Sequence, residues 1–269
     1  MNYKKLISNG KSVRAFKNKK VEVQYFNEIE SYIKKSKTLI NDIEIDIKMF
    51  SDEDIYEKLK NIAGYHGYMI QAPNYVVVLS DVKKGYIENS GYMGERIILK
   101  ARDLGIDSCW VTINDSKAIK EKLEITSDKE VTAIIALGYE DTKQTKNATI
   151  AERISVNQIV YMNKWGNNAT LAELEERNLL EAFNYARMAP STVNRQPWRF
   201  IIDAEKLILA IRNDDFTTDY EKGIETGIAM LYFGSIIDTT MFDLKWSVGS
   251  IDKDYNIDKD YDVVGYCSI

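Results

Sequence analysis

The sequence is poor in the residues that carry most metal and nucleophile chemistry: it has one histidine, His66, and two cysteines, Cys109 and Cys267. Without CxxC spacing there is neither a disulfide framework nor a cysteine-rich metal site. A single histidine excludes multi-histidine metal centres and allows a Ser-His-Asp triad only through that residue, around which nothing resembles a nucleophile elbow. Cys109 sits inside an apolar run and reads as a small core residue. Also absent are GxGxxG and GxxxxGK[ST], so a Rossmann or P-loop fold has no starting point. No long block of one charge sign occurs, and 36 Lys+Arg against 41 Asp+Glu give a net charge of −5. That balance leaves no electrostatic footprint for nucleic acid or an anionic membrane. The most apolar stretch, Gly223 to Leu244, is interrupted by Glu225 and Asp238. It reads as an amphipathic buried helix, not a membrane span. Met1 to Lys5 lack the apolar core of a secretory signal, so a cytoplasmic protein is expected.

What is present suits a packed globular fold, with 45% hydrophobic and 29% charged residues over 269 positions. Val23, Phe26, Ile29, Tyr32 and Ile33 predict an amphipathic helix over Val21–Lys37. An irregular stretch around Asn41–Asp54 follows, then a helix over Tyr56–Ile70, and Pro73-Asn74 opens a buried strand at Tyr75–Leu79. A helix over Ser90–Leu104 ends at Gly105, and strands are predicted at Cys109–Ile113 and Val131–Leu137. From Trp165 the order starts again: helix Leu171–Met188, strands Arg199–Ile202 and Leu207–Ile211, long helix Gly223–Phe242, strand Val263–Tyr266. Two diverged half-copies, divided near Gly166-Asn167-Asn168 into 1–165 and 166–269, explain this recurrence.

Two segments carry candidate chemistry. In Lys11-Ser12-Val13-Arg14-Ala15-Phe16 an extended backbone puts Ser12 and Arg14 on one face and Val13 on the other. A hydroxyl beside a forked guanidinium suits a phosphate or an electron-rich carbonyl, although six such residues alone also read as a solvated basic N-terminus. Far more specific is Ala189-Pro190-Ser191-Thr192-Val193-Asn194-Arg195-Gln196-Pro197-Trp198-Arg199-Phe200. It ends a helix with proline and places small hydroxyl and amide side chains before a second proline and a strand. Such groups suit the mixed polar edge of a flavin; the bland alternative is a capping turn with a buried tryptophan.

That second segment resembles the most recognisable motif of the FMN-dependent nitroreductase family, and other segments resemble the family too. Ser12, Arg14 and Phe16 are similar to its N-terminal Ser-x-Arg and aromatic. Leu104-Gly105 through Cys109-Trp110-Val111-Thr112 resembles its Leu-Gly-x-x-x-Cys-Trp segment beside the flavin N5. Leu137-Gly138-Tyr139 resembles its Leu-Gly-Tyr strand end. Arg153, with Val156, Ile159, Val160 and Trp165 behind it, resembles its phosphate-binding arginine. Lys11 stands where many relatives carry another arginine. A polar pair at the pyrimidine edge is replaced near Tyr65 and Tyr68, a place where tyrosine is more often a core residue.

The resemblance implies an α+β, nitroreductase-like fold with mixed β-sheets packed by long helices. It also implies a cofactor site of Lys11, Ser12, Arg14, Trp110, Val111, Thr112, Arg153, Pro190, Ser191, Thr192, Asn194 and Gln196. Trp110 and Trp198 are expected to pack as structural aromatics. The proline loop normally follows Ser-x-Arg within some thirty residues, but here Lys34–Asp46 lack it and it occurs after residue 165. Family members are typically homodimers in which a partner subunit supplies that loop. One chain carrying both halves resembles the family's internal pseudo-dimer branch, first described from a thermophilic bacterium. Residues 166–269 have no Ser-x-Arg, so one FMN per chain is expected. The implied activity passes hydride from NADH or NADPH through flavin N5 to a nitroaromatic, quinone or similar small-molecule acceptor, with no catalytic side chain and no metal. Alternatives on the same fold are dehalogenation, heterocycle oxidation, or non-catalytic flavin binding. No nucleic-acid or membrane partner is expected, and a monomer is favoured over a homodimer.

Overall fold

The computed structural model describes residues 1–144, 152–238 and 243–269. The chain clusters into two units: Met1 with Asn9–Thr149, and Asn2–Ser8 with Ile150–Ile269. The division thus precedes the expected break at Gly166. Residues 160–169 form a hairpin whose first arm pairs in parallel with a strand of the second unit, Val160 opposite Phe200 and Met162 opposite Ile202. Gly166, with φ of 80°, only turns that hairpin. The N-terminal helix α1 (Tyr3–Ser8) also belongs to the second unit, where Lys4 Nζ reaches the Glu181 carboxylate at 2.6 Å.

The first unit contains, in order, α2 (Val23–Lys35), β1 (Ile45–Phe50), α3 (Ile55–Leu59), β2 (Asn74–Ser80), α4 (Tyr86–Asp103), β3 (Asp107–Val111), α5 (Ser116–Lys122) and β4 (Glu130–Gly138). Its sheet runs β1-β2-β4-β3, antiparallel throughout. All seven positions of β2 are buried, as in a strand covered on both faces. Tyr75, Val77 and Leu79 of β2 pack with Ile55 and Leu59 of α3 and Ile119 of α5. The expected helix Tyr56–Ile70 shrinks to α3. Asn61 (φ 71°), Gly64 (φ 102°) and His66 (φ 49°) adopt left-handed backbone that stops it. The irregular stretch, in turn, contains β1.

The second unit contains β5 (Val160–Met162), α6 (Leu171–Glu176), α7 (Leu180–Ala186), β6 (Trp198–Asp203), β7 (Lys206–Arg212), α8 (Asp219–Ile237), β8 (Trp246–Val248) and β9 (Tyr261–Ser268). The predicted helix Leu171–Met188 is two helices, broken where Asn178 takes φ of 58°. Helix α8 begins at a Thr218–Glu221 capping box and is buried at every position from Gly223 to Ile237. It is therefore a central helix enclosed on all sides, not an amphipathic one. Phe233 of α8 packs against Phe183 of α7 at 5.0 Å between ring centroids. The end of the predicted helix, 239–242, lies outside the described residues. Among those residues no helix is long and apolar enough to cross a membrane.

The second sheet runs β5-β6-β7-β9-β8. Without β5, its order and its antiparallel pairings repeat those of the first unit. In each unit a helix (α2 or α7) packs on a long helix (α4 or α8). Each long helix precedes two strands that enter the sheet in reversed order. Details recur as well. Trp110 on β3 closes over Gly94 of α4, and Trp246 on β8 lies beside Gly234 of α8. The two half-copies expected from the order of elements are thus two copies of one topology.

Candidate functional site

In the first unit, Val13 is 3% exposed and its N–H donates to the Ser108 carbonyl at 2.9 Å. Lys17 N donates to Tyr139 O at 2.8 Å and Asp141 N to Ala15 O at 2.9 Å. These bonds fasten residues 13–17 to the ends of β3 and β4. With Val13 inward, Ser12 and Arg14 are exposed on the opposite face, as the alternation requires. Arg14, Phe16, Lys17, Tyr56, Tyr68 and Gln71 contribute to the lining of a cavity of about 910 Å³ within this unit. Lys11 ion-pairs with Glu140.

Trp110 donates its indole N–H to the fully buried Glu95 at 2.8 Å, so it packs as a structural aromatic. Val111 is buried, and Thr112 is half-buried with its carbonyl accepting Gly64 N–H at 2.7 Å. Tyr65 is half-buried against the His66 ring, whereas Tyr68 is 71% exposed and not a core residue. Burial pushes the Cys109 thiol above its ordinary pKa, as suits a core cysteine.

In the second unit, the loop after α7 winds through a short 3₁₀ turn, Thr192–Asn194, into β6. Arg153 Nη1 donates to Ala189 O at 2.9 Å and to Asn194 Oδ1 at 3.0 Å. Asn194 Nδ2 donates to Glu152 O at 3.1 Å. Gln196 is buried; its amide accepts from Ile154 N at 2.9 Å and donates to Glu152 O at 3.0 Å. Ser191 Oγ accepts Gln196 N–H at 3.0 Å. Pro190, Ser191 and Thr192 are half-buried. The loop therefore brings Arg153, Asn194 and Gln196 together. Burial depresses the pKa of Arg153, with Arg187 adding repulsion, yet a guanidinium stays cationic. Trp198 is fully buried in the core.

The loop backbone is strained. Val193, Asn194 and Gln196 have φ of 47°, 57° and 48°, and for a β-branched residue such a φ costs on the order of 1–3 kcal/mol. Beneath it lies a charge cluster that the motif did not reveal. Arg195 Nη2 meets Glu225 Oε2 at 2.5 Å, both side chains 3% exposed, and Arg195 Nη1 meets Asp214 Oδ2 at 2.6 Å. Arg212 Nε reaches the same Asp214 oxygen at 3.1 Å. Glu225 Oε1 also accepts Thr192 N–H at 2.7 Å. Burial raises the pKa of Glu225 against the pull of Arg195 and Thr192. Burial would likewise raise that of Asp214, but Arg195 and Arg212 hold it below its ordinary value. A signal for Glu225 stood in the sequence: a lone carboxylate in an apolar helix needs a buried partner. Among the described residues no cluster suits a metal ion.

A family model described as "Putative TM nitroreductase" matches residues 2–235 of the chain. Among solved structures, a "putative nitroreductase" from Thermotoga maritima MSB8 superposes with a TM-score of 0.63 at 20% identity, covering 100% of this chain and 94% of its own. An "FMN-dependent Nitroreductase" from Clostridium difficile R20291 is 23% identical with a TM-score of 0.46, over 54% of this chain and 90% of its own. A "Putative NADH Oxidase" from Clostridium acetobutylicum is 23% identical with a TM-score of 0.46, over 57% and 96%. No match was found among curated proteins.

Proposed function

The chain belongs to the nitroreductase family described by that model, and from this membership we propose that it is an FMN-dependent oxidoreductase. It passes hydride from NADH or NADPH to a nitroaromatic, quinone or similar small-molecule acceptor. The observation that carries the reading is the exposed pair Ser12 and Arg14, presented by a segment whose inner face is fixed at Val13. A hydroxyl and a guanidinium so held suit a flavin's anionic and carbonyl groups.

When bound, FMN supplies reversible hydride chemistry at N5, which no side chain of the protein can. Ser12, Arg14 and Lys11 would contribute from the first unit, together with Trp110, Val111 and the backbone N–H near Thr112. Arg14 would offer a cation to the reduced flavin, and the Thr112 N–H would offer a hydrogen-bond donor. From the second unit, Arg153 spends Nη1 on the loop, and its other N–H groups suit a phosphate. Within the second unit, Pro190, Ser191, Thr192, Asn194 and Gln196 are the loop residues offered to FMN. No side-chain acid or base is needed. Only one copy of each binding segment occurs, so the chain takes one FMN.

Purified protein should be yellow and release one FMN per chain on denaturation. A colourless protein that takes up no added FMN sinks the reading. Arg14→Ala and Arg153→Ala should each weaken FMN affinity at least tenfold by flavin fluorescence titration. Oxidation of NADH or NADPH with a nitroaromatic then tests the reaction; FMN that neither nicotinamide reduces marks a flavin-binding protein without reductase activity.

A further inference from the structure

We propose that Glu225 and Arg195 are positioning residues for the flavin loop, a buried charged staple that holds Asn194 and Arg153 in binding geometry. This rests on the FMN reading above. Glu225 projects from α8 and grips the loop on both sides of two of its three strained residues: Oε1 takes the Thr192 N–H at 2.7 Å, and Oε2 takes Arg195 Nη2 at 2.5 Å. Between those two grips lie Val193 and Asn194, with φ of 47° and 57°. Val193 is 63% exposed, so core packing of its side chain does not hold that backbone in place. The staple does. Its consequence passes to Asn194, whose Oδ1 accepts from Arg153 Nη1 at 3.0 Å.

A buried ion pair is weak evidence for stability, because desolvation offsets its attraction. The arrangement here is asymmetric in a way that stability alone does not explain. Asp214 gives Arg195 a second carboxylate at 2.6 Å but touches the loop only through that guanidinium. Glu225 grips the loop backbone directly. Two isosteric variants therefore separate the roles. Glu225→Gln and Asp214→Asn each remove one charged partner of the same arginine while conserving shape.

With wild-type protein first shown to bind FMN, both variants should lower the melting temperature of the flavin-free protein by similar amounts. Glu225→Gln should raise the FMN dissociation constant at least tenfold, and Asp214→Asn less than threefold. The doubly apolar variant Arg195→Met with Glu225→Leu, which removes both members of the staple without leaving either charge unpaired against the other, should bind FMN at least tenfold more weakly. Equal effects of Glu225→Gln and Asp214→Asn on affinity, or none from either, overturn the staple. So does a double variant with wild-type affinity. Wild-type protein that binds no FMN removes the function itself and the staple with it.

Discussion

Tyr75 is engaged at both ends of its hydroxyl, donating to Ile70 O at 2.6 Å and accepting from Ala72 N at 2.9 Å. Burial lifts its pKa from 10.0 to about 12, the Ala72 bond opposing. A folded-state pKa above the unfolded value means that the protonated form is favoured by folding. Its contribution is complete below pH 10 and is lost as the pH rises from 10 to about 12. Urea unfolding across that range should therefore show stability falling, with a shallower slope in Tyr75→Phe. At neutral pH the same variant should lose about 1–3 kcal/mol, because the buried Ile70 carbonyl and the half-buried Ala72 N–H lose a partner. The candidate site follows the same logic of forced partnership. Arg195 could be seen in the motif and Glu225 in its apolar run, but nothing in the sequence says that they meet.

Helices and strands were legible where one face is apolar and the other charged. The spacing of Phe26, Ile29 and Ile33 located α2, and the apolar run located β2. Where several forces compete, the pattern misled. Asn178 broke an otherwise continuous helical pattern, and β5 was too short to stand out against the turn at Gly166. In β1, half-buried Ile45 and Ile47 alternate with exposed Asp46 and Lys48, a period-two signal masked by its charges. Gly94 in α4 tests packing at this scale. A Cβ there would lie 2.3 Å from Trp110 Cη2, and the Glu95 hydrogen bond keeps that ring from moving away freely. Alanine gains about 1 kcal/mol of helix propensity, but overpacking costs about 1–3 kcal/mol. Gly94→Ala should therefore destabilise the protein in urea unfolding and disturb tryptophan fluorescence; increased stability would contradict the packing argument.

At the scale of the molecule, the repeated sheet order explains the displaced loop. The stretch between α2 and β1 in the first unit corresponds to the stretch between α7 and β6 in the second, and only the latter has the Pro190–Trp198 sequence. Between β1 and β2 the first unit has residues 51–73, which supply Tyr56, Tyr68 and Gln71 to its cavity, where the second has a tight turn at Ala204. The copies diverged by dividing such segments between them. We propose that a chain carrying both sets of binding segments takes its cofactor as a monomer. Sedimentation should find a monomer carrying one FMN; a stable dimer with half a flavin per chain would refute that expectation.

By itself the sequence determined the family and the α+β class, because motif spacing and residue type are local properties. The alternation around Val13 even settled which face Ser12 and Arg14 share. Only the tertiary structure decided where the units divide, that the two halves share one strand order, and that Glu225 reaches the loop at Thr192 and Arg195. Those facts depend on contacts between residues distant in the chain, and a carboxylate buried in a helix has no partner until the fold brings one to it.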